Sequence, residues 1–256
     1  MTSVVLPVVE TGPEALLRMG ELTVSDDGEF RGSMPVGPWL EVEGRTPAGA
    51  VAVLVDDLLG YAIVADLPRG YWSVSAEITL DVLRPLPTSG RLLANARLVH
   101  ADALSGYATG TVTDEDGLLL ASTSQRGRYL VAPEGLVEVG AWGGPPAPGD
   151  LERLLAARAD EPVTTTDVHA NESGNLHGGV SMFLADRVAG ALRPDLVTAS
   201  VHITYTRGIP IGAELICRTT NRHAGRSLAV IDVDGMVDGR VGTTARVVLH
   251  PPISAE

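Results

Sequence analysis

The chain has 256 residues, 45% hydrophobic and 20% charged, with a formal net charge of −13. That is enough chain to bury one large core or two ordinary ones, in the composition of a soluble globular protein. The acidic balance, with no basic stripe against it, excludes a nucleic-acid binder and disfavours docking on anionic membranes.

A single cysteine, Cys217, leaves no disulfide framework and no cysteine-rich metal site, and it reads as a small apolar strand residue. The first ten residues carry no basic segment and are broken by Pro7 and Glu10, unlike a signal peptide. No apolar run reaches the roughly 18 residues of a membrane span, so the cytoplasm is the expected location. Nothing signals a nucleotide phosphate loop, a serine-hydrolase elbow, a metal or another cofactor.

In chain order, residues 1–20 read as a lead-in with one helical turn at Leu16, Leu17 and Met19. Residues 21–38 read as a hairpin around Asp27-Gly28. Residues 47–65, opened by Pro47 and closed by Pro68, are apolar on every face but Asp56-Asp57, which predicts a central buried helix. Period-two alternation at Ile78, Leu80 and Val82 predicts a strand ended by Arg84-Pro85. Three more strands are expected at 91–101, 105–114 and 118–130, the last two joined by a turn at Asp114–Gly117. Gly143 to Gly149 is the best linker. A short helix at 151–159 and a strand at 163–169 then precede a helix from Gly178 closed by Pro194. Strands follow around Val201–Tyr205 and at 213–222, 226–236 and 240–249.

The order repeats. A shift of 130 residues superposes Gly44, Gly49, Leu54, Asp56 and Gly60 on Gly174, Gly179, Leu184, Asp186 and Gly190. A shift of 123 places Arg84 on Arg207 and Pro87 on Pro210. Identities of this kind at the helix, followed by the same strand order, indicate an internal duplication. One buried helix followed by four antiparallel strands, made twice, is an α+β architecture.

At the second helix stands Asn171-x-x-Gly174-x-x-His177-Gly178-Gly179, followed by Leu184-Ala185-Asp186. With the repeat, this pattern resembles the hotdog-fold acyl-CoA thioesterases, most closely the phenylacetate-pathway type, in a tandem form. The resemblance implies a double hotdog, with two antiparallel sheets each wrapped around a long central helix. The halves would be residues 1–135 and 150–256, with a linker at 136–149. It also implies an acyl-CoA or acyl-thioester substrate and no cofactor. The chain would be a monomeric pseudo-dimer or a homodimer.

A thioester hydrolase needs N–H donors where the carbonyl oxygen becomes negative, and a group that attacks or deprotonates water. Gly178 and Gly179, at a helix start, suit the first task. Asp186 lies about 10 Å further along the same helix axis, too far to share one reacting carbon. Two equivalent helices packed antiparallel about 8–10 Å apart solve this. One site would join Asn171, His177, Gly178 and Gly179 to Asp56, and the other Pro47, Ala48 and Gly49 to Asp186. Because His177 is matched by Pro47, Gly178 by Ala48 and Asn171 by Glu41, the second site is expected to be degenerate.

By resemblance, Asp56 is the base or nucleophile and Gly179 N–H holds the thioester oxygen with help from Gly178. Asn171 orients water or substrate, and His177 hydrogen-bonds near the thioester. Blander readings stand beside these: Asp56 as a helix cap, Asp57 as its solvated or salt-bridged neighbour, His177 as a cap residue, Asn171 as an Asx turn. His169 and His202 read as strand residues. The rival functions are a non-catalytic acyl-thioester binding module and a hydratase using Asp167 and His169. Arginines that could meet a phosphate-bearing ligand are Arg84, Arg126, Arg128, Arg207, Arg222 and Arg226.

Overall fold

The computed structural model describes residues 4–6, 9–65, 67–68, 70–132 and 143–252. In chain order these form β1 (Val4–Leu6), α1 (Gly12–Leu16), β2 (Leu22–Val24), β3 (Phe30–Val36), α2 (Ala52–Val64), β4 (Tyr71–Val82), β5 (Gly90–Ala101), β6 (Ser105–Thr113) and β7 (Leu119–Val131). They continue with α3 (Asp150–Leu155), β8 (Pro162–Thr164), α4 (Gly178–Leu192), β9 (Val197–Tyr205), β10 (Glu214–Ala224), β11 (Ala229–Val237) and β12 (Arg240–His250). Residues 136–142 of the expected linker lie outside the described residues.

The predicted elements agree with this order, with three differences. Strand β1 went unread because three residues are too few to show alternation. The 163–169 strand is only β8 followed by a 3-10 turn at Asp167–His169, whose N-cap is Thr166. The first turn of the 47–65 helix is a 3-10 turn over Ala48–Val51.

The expectation of two separate sheets is corrected. The twelve strands form one sheet in the order β1-β2-β3-β5-β6-β7-β4-β9-β12-β11-β10-β8. Its two halves meet where β4 pairs antiparallel with β9, from Glu77 opposite Thr204 to Asp81 opposite Ser200. The physical reason is that each would otherwise be an edge strand with unpaired N–H and C=O groups. Ile78 and Leu80 on one strand face Ile203 and Val201 on the other, all fully buried, so the apolar face runs unbroken across the seam. Outward from it, β7, β6, β5 and β3 on one side mirror β12, β11, β10 and β8 on the other.

Helix α2 packs on β3 to β7 and α4 on β9 to β12, and the helices pack on each other. Val53, Leu54, Leu58, Leu59 and Ile63 of α2 are fully buried, as are Met182, Phe183, Val188 and Ala189 of α4. The helices run antiparallel: Gly49 lies against Phe183 and Asp186, while Gly179 lies against Ala52 and Val53. A β-carbon on Gly179 would come within 2.5 Å of Val53 Cα, and one on Gly49 within 2.8 Å of Phe183 Cα. Glycine at these two points is what lets the backbones approach so closely.

Candidate active site

Local chain chemistry builds the start of α4. Asn171 Oδ1 accepts hydrogen bonds from the Ser173 and Asn175 N–H groups, each at 3.0 Å, closing an Asx turn. Gly174 takes the left-handed backbone this loop needs, at φ +71°. His177 is the N-cap of α4 and is buried. The Gly178 N–H, first of the helix, has no hydrogen-bond partner among the described residues.

The carboxylate facing this helix end belongs to the other helix. Asp56 Oδ2 accepts from the Gly179 N–H at 2.7 Å, and Oδ1 accepts from Ser75 Oγ at 3.1 Å. Gln125 Nε2 in turn donates to Ser75 Oγ at 2.8 Å. Tyr205 Oη donates to the Gly178 carbonyl at 2.8 Å. A β-carbon on Gly178 would stand 2.6 Å from Asp56 Oδ2, so the carboxylate occupies the space a side chain would take.

His177 bridges two acids. Its Nε2 is 3.0 Å from Asp57 Oδ1 and its Nδ1 3.2 Å from Asp56 Oδ2. Gly179 N–H points at both Nδ1, 3.0 Å away, and Asp56 Oδ2, and the shorter, charge-assisted bond to the carboxylate takes it. Nδ1 is then free to carry a proton toward Asp56. Burial works against the charged imidazole, but the hydrogen bond to Asp57 and the charges of Asp56, Asp57 and Glu14 outweigh it, raising the pKa to about 10. His177 is therefore an imidazolium at neutral pH. Burial likewise pushes the Asp56 carboxyl above the ordinary carboxylate range, against the pull of His177 and the Gly179 N–H. Ligand atoms of Glu14, Asp57 and His177 lie within 4.8 Å of one another. A protonated His177 makes them an ion cluster, since a metal would need its lone pair.

A cavity of about 440 Å³ opens onto these groups, lined by Asp56, Asp57, Gln125, Asn171, His177, Gly178 and Tyr205 among others. Arg128 and Arg207, two of the arginines flagged for a phosphate-bearing ligand, line it too. Gly178 is among the residues that line the cavity, and Gly179, the donor expected from the resemblance, is not. Its N–H is already held by Asp56, and what approaches it is the backbone of α2. Asp57, expected as a solvated or salt-bridged neighbour, is salt-bridged, with a side chain only 7% exposed.

Sequence reasoning missed Ser75, Gln125 and Tyr205. Ser75 was within reach, because the shift of 123 that superposes Arg84 on Arg207 also places it on Thr198. Gln125 and Tyr205 correspond to Val247 and Val82 under the same kind of shift, so no repeat flags them.

Asp186 makes the related arrangement. Its Oδ2 accepts from Gly49 N–H at 2.8 Å and its Oδ1 from Thr198 Oγ1 at 2.6 Å. Burial raises its pKa as well. With Pro47, Ala48, Val82 and Val247 replacing His177, Gly178, Tyr205 and Gln125, that end lacks the polar partners found around Asp56. His169 is buried in the turn after β8, is held neutral by burial with a pKa of about 4, and does not line the larger cavity, so the hydratase pair has no geometry. His202 is a strand residue of β9, as expected.

Residues 18–129 match the family model of the acyl-CoA thioesterase C-terminal domain, and residues 166–250 match that of the acyl-CoA thioesterase N-terminal domain. Together the matches take in well over half of the chain. The chain belongs to the acyl-CoA thioesterase family. It is a thioester hydrolase, and the two family models match in the reverse of the order their names give. No curated protein matches this thioesterase at a significant level.

Among solved structures it is similar to a 12:0-ACP thioesterase from Umbellularia californica, with a TM-score of 0.65 and 14% identity over 89% of this chain and 98% of that one. A tesB protein from Mycobacterium avium subspecies paratuberculosis gives a TM-score of 0.61 and 13% identity over 87% and 93%. An acyl-ACP thioesterase from Bacteroides thetaiotaomicron gives 0.59 and 12% over 88% and 99%. These likenesses are of fold.

Proposed function

We propose that this thioesterase hydrolyses acyl-CoA to the free acid and CoA at one composite site, with Asp56 from the first half and the start of α4 from the second. The observation that carries the reading is the Asp56 carboxylate, anchored by Ser75 and Gly179, at the wall of the 440 Å³ cavity beside the Gly178 N–H. Gly178 N–H is the donor that receives the thioester oxygen as it becomes negative. Asp56 takes a proton from water as the water oxygen attacks the carbonyl carbon. The C–S bond then breaks as Asp56 returns that proton to the departing sulfur, which leaves as the thiol. The raised pKa of Asp56 makes it a stronger base than an ordinary carboxylate. The charge of His177 offsets the acidic cluster around the site, and Ser75, with Gln125 behind it, aims the carboxylate.

Arg128 and Arg207 on the cavity wall support CoA phosphates as the polar end of the substrate. The motif from Asn171 to Gly179 supports the phenylacetate-pathway type. The internal repeat and mirrored strand order support a tandem double hotdog, residues 1–135 and 150–256, produced by duplication. In this reading the Gly49–Asp186 end is non-hydrolytic.

The test is thiol release from a panel of acyl-CoAs, followed with a colorimetric trap. Asp56→Asn is expected to lower kcat/KM by about 10²–10³-fold, the usual worth of a general base. Asp186→Asn should stay within about threefold of the parent, since a group outside the reacting constellation contributes nothing in the transition state. Equal losses would overturn the single-site reading.

A further inference from the structure

A second cavity, of about 290 Å³, lies beside Asp186. It is the pseudo-symmetric counterpart of the first: Asp186, Gly190, Val197, Thr198, Pro47 and Val82 line it, where Asp56, Gly60, Val74, Ser75, His177 and Tyr205 line the other. One exchange reverses charge. Asp57 in the larger cavity, paired with His177, is replaced in the smaller by Arg187.

Arg187 is only 7% exposed. Its Nε donates to the Leu155 carbonyl at 3.1 Å, but its terminal nitrogens have no hydrogen-bond or ion-pair partner among the described residues. The neighbouring Asp186 is already taken by Gly49 and Thr198. Arg45, Arg84 and Arg158 line the same cavity and, among the described residues, are bonded only to backbone carbonyls. Four arginines thus converge on one cavity of a chain whose net charge is −13. The rest of the wall is largely apolar, with Leu83, Leu86, Leu196 and Leu249, and carries two carboxylates, Asp186 and Glu43. A buried cation whose terminal donors are left without a hydrogen-bond partner costs stability unless an acceptor meets them. Burial, with the nearby charge of Arg158, holds the guanidinium below its ordinary pKa against the charges of Asp186 and Glu43.

We propose that this cavity is a ligand site for a small apolar carboxylate, whose head pairs with Arg187 while its hydrocarbon body fills the apolar wall. Its size favours such an acid over a whole acyl-CoA, since it lies at the low end of the volumes that hold drug-sized ligands. A planar guanidinium matches a carboxylate bidentately. The site is distinct from the one assigned to hydrolysis, and it does not depend on which residues there do the chemistry.

Octanoate is the probe. Titration calorimetry of the full chain is expected to show saturable binding that Arg187→Met weakens by at least about tenfold, a change of one decade in Kd. Ala191→Phe, which fills the same cavity from α4, should weaken it as much, and both variants should keep thiol release within about twofold of the parent. Octan-1-ol, lacking the carboxylate, should fail to compete, and so should inorganic phosphate. Undiminished octanoate binding in the two variants would overturn the proposal, as would equal competition by octanol or by phosphate. Should Arg187→Met fail to fold, Ala191→Phe and the two competitors decide the question alone.

Discussion

His177 carries the sharpest residue-scale consequence, because two carboxylates hold its proton. Its pKa is raised from the ordinary 6.5 to about 10 on folding, so the folded state binds the proton more tightly than the unfolded chain. The stabilisation is therefore full below pH 6.5 and lost as the pH rises through about 10. Thermal melts of His177→Gln against the parent should differ most below about pH 6.5 and converge toward pH 10; a constant difference would contradict the ion pair. In the proposed mechanism the same protonation shapes catalysis. The acid limb of kcat/KM should lie above the ordinary carboxylate range, where Asp56 takes a proton, and an alkaline limb near pH 10 should vanish in His177→Gln. Ser75→Ala removes only the group that aims Asp56, so kcat should fall about tenfold, less than for loss of the base itself.

At the scale of elements, the site exists because α2 and α4 cross closely enough for one helix to cap the other. An alanine inside a helix ordinarily stabilises it by about 1 kcal/mol relative to glycine. At Gly179 the sign reverses, because the new carbon would meet Val53 Cα at 2.5 Å and backbone cannot rotate away. Gly179→Ala should lower the unfolding free energy by about 2–3 kcal/mol, as overpacked cores do. Gly60→Ala, whose nearest contact would be Gln125 Nε2 at 4.0 Å, should raise it by up to about 1 kcal/mol. Urea unfolding of both variants checks the contrast.

For the whole molecule, the continuous seam of β4 and β9 matters most. It buries Ile78, Leu80, Val201 and Ile203 together, and the paired helices bury a second shared surface. Halves joined through both layers should unfold as one unit. Calorimetry should give a single transition, and two resolved peaks would show that the halves are independent. Neither half expressed alone should turn over acyl-CoA, because Asp56 and Gly178 lie on different halves. No helix among the described residues is long and apolar enough to cross a membrane.

Much was legible in the chain itself, for a local reason. Both buried helices and nearly every strand could be read from periodicity, because burial on one face or on all faces imprints 3.6- and 2-residue patterns. The equivalence of Asp56 and Asp186 could be read because each carboxylate stands at the same offset from a glycine, and each accepts from the glycine N–H of the other helix. The pairing of Asp56 with the far helix followed from helix rise once the two equivalent helices were taken to pack antiparallel. The single sheet did not follow, since two alternating strands look the same whether they end a sheet or join two. Nor did the choice between Gly178 and Gly179 as the open donor, which depends on a 2.7 Å bond between residues 123 positions apart. The charge reversal from Asp57 to Arg187 stood in plain view, but only the packing turned one side chain toward a histidine and the other toward the second cavity.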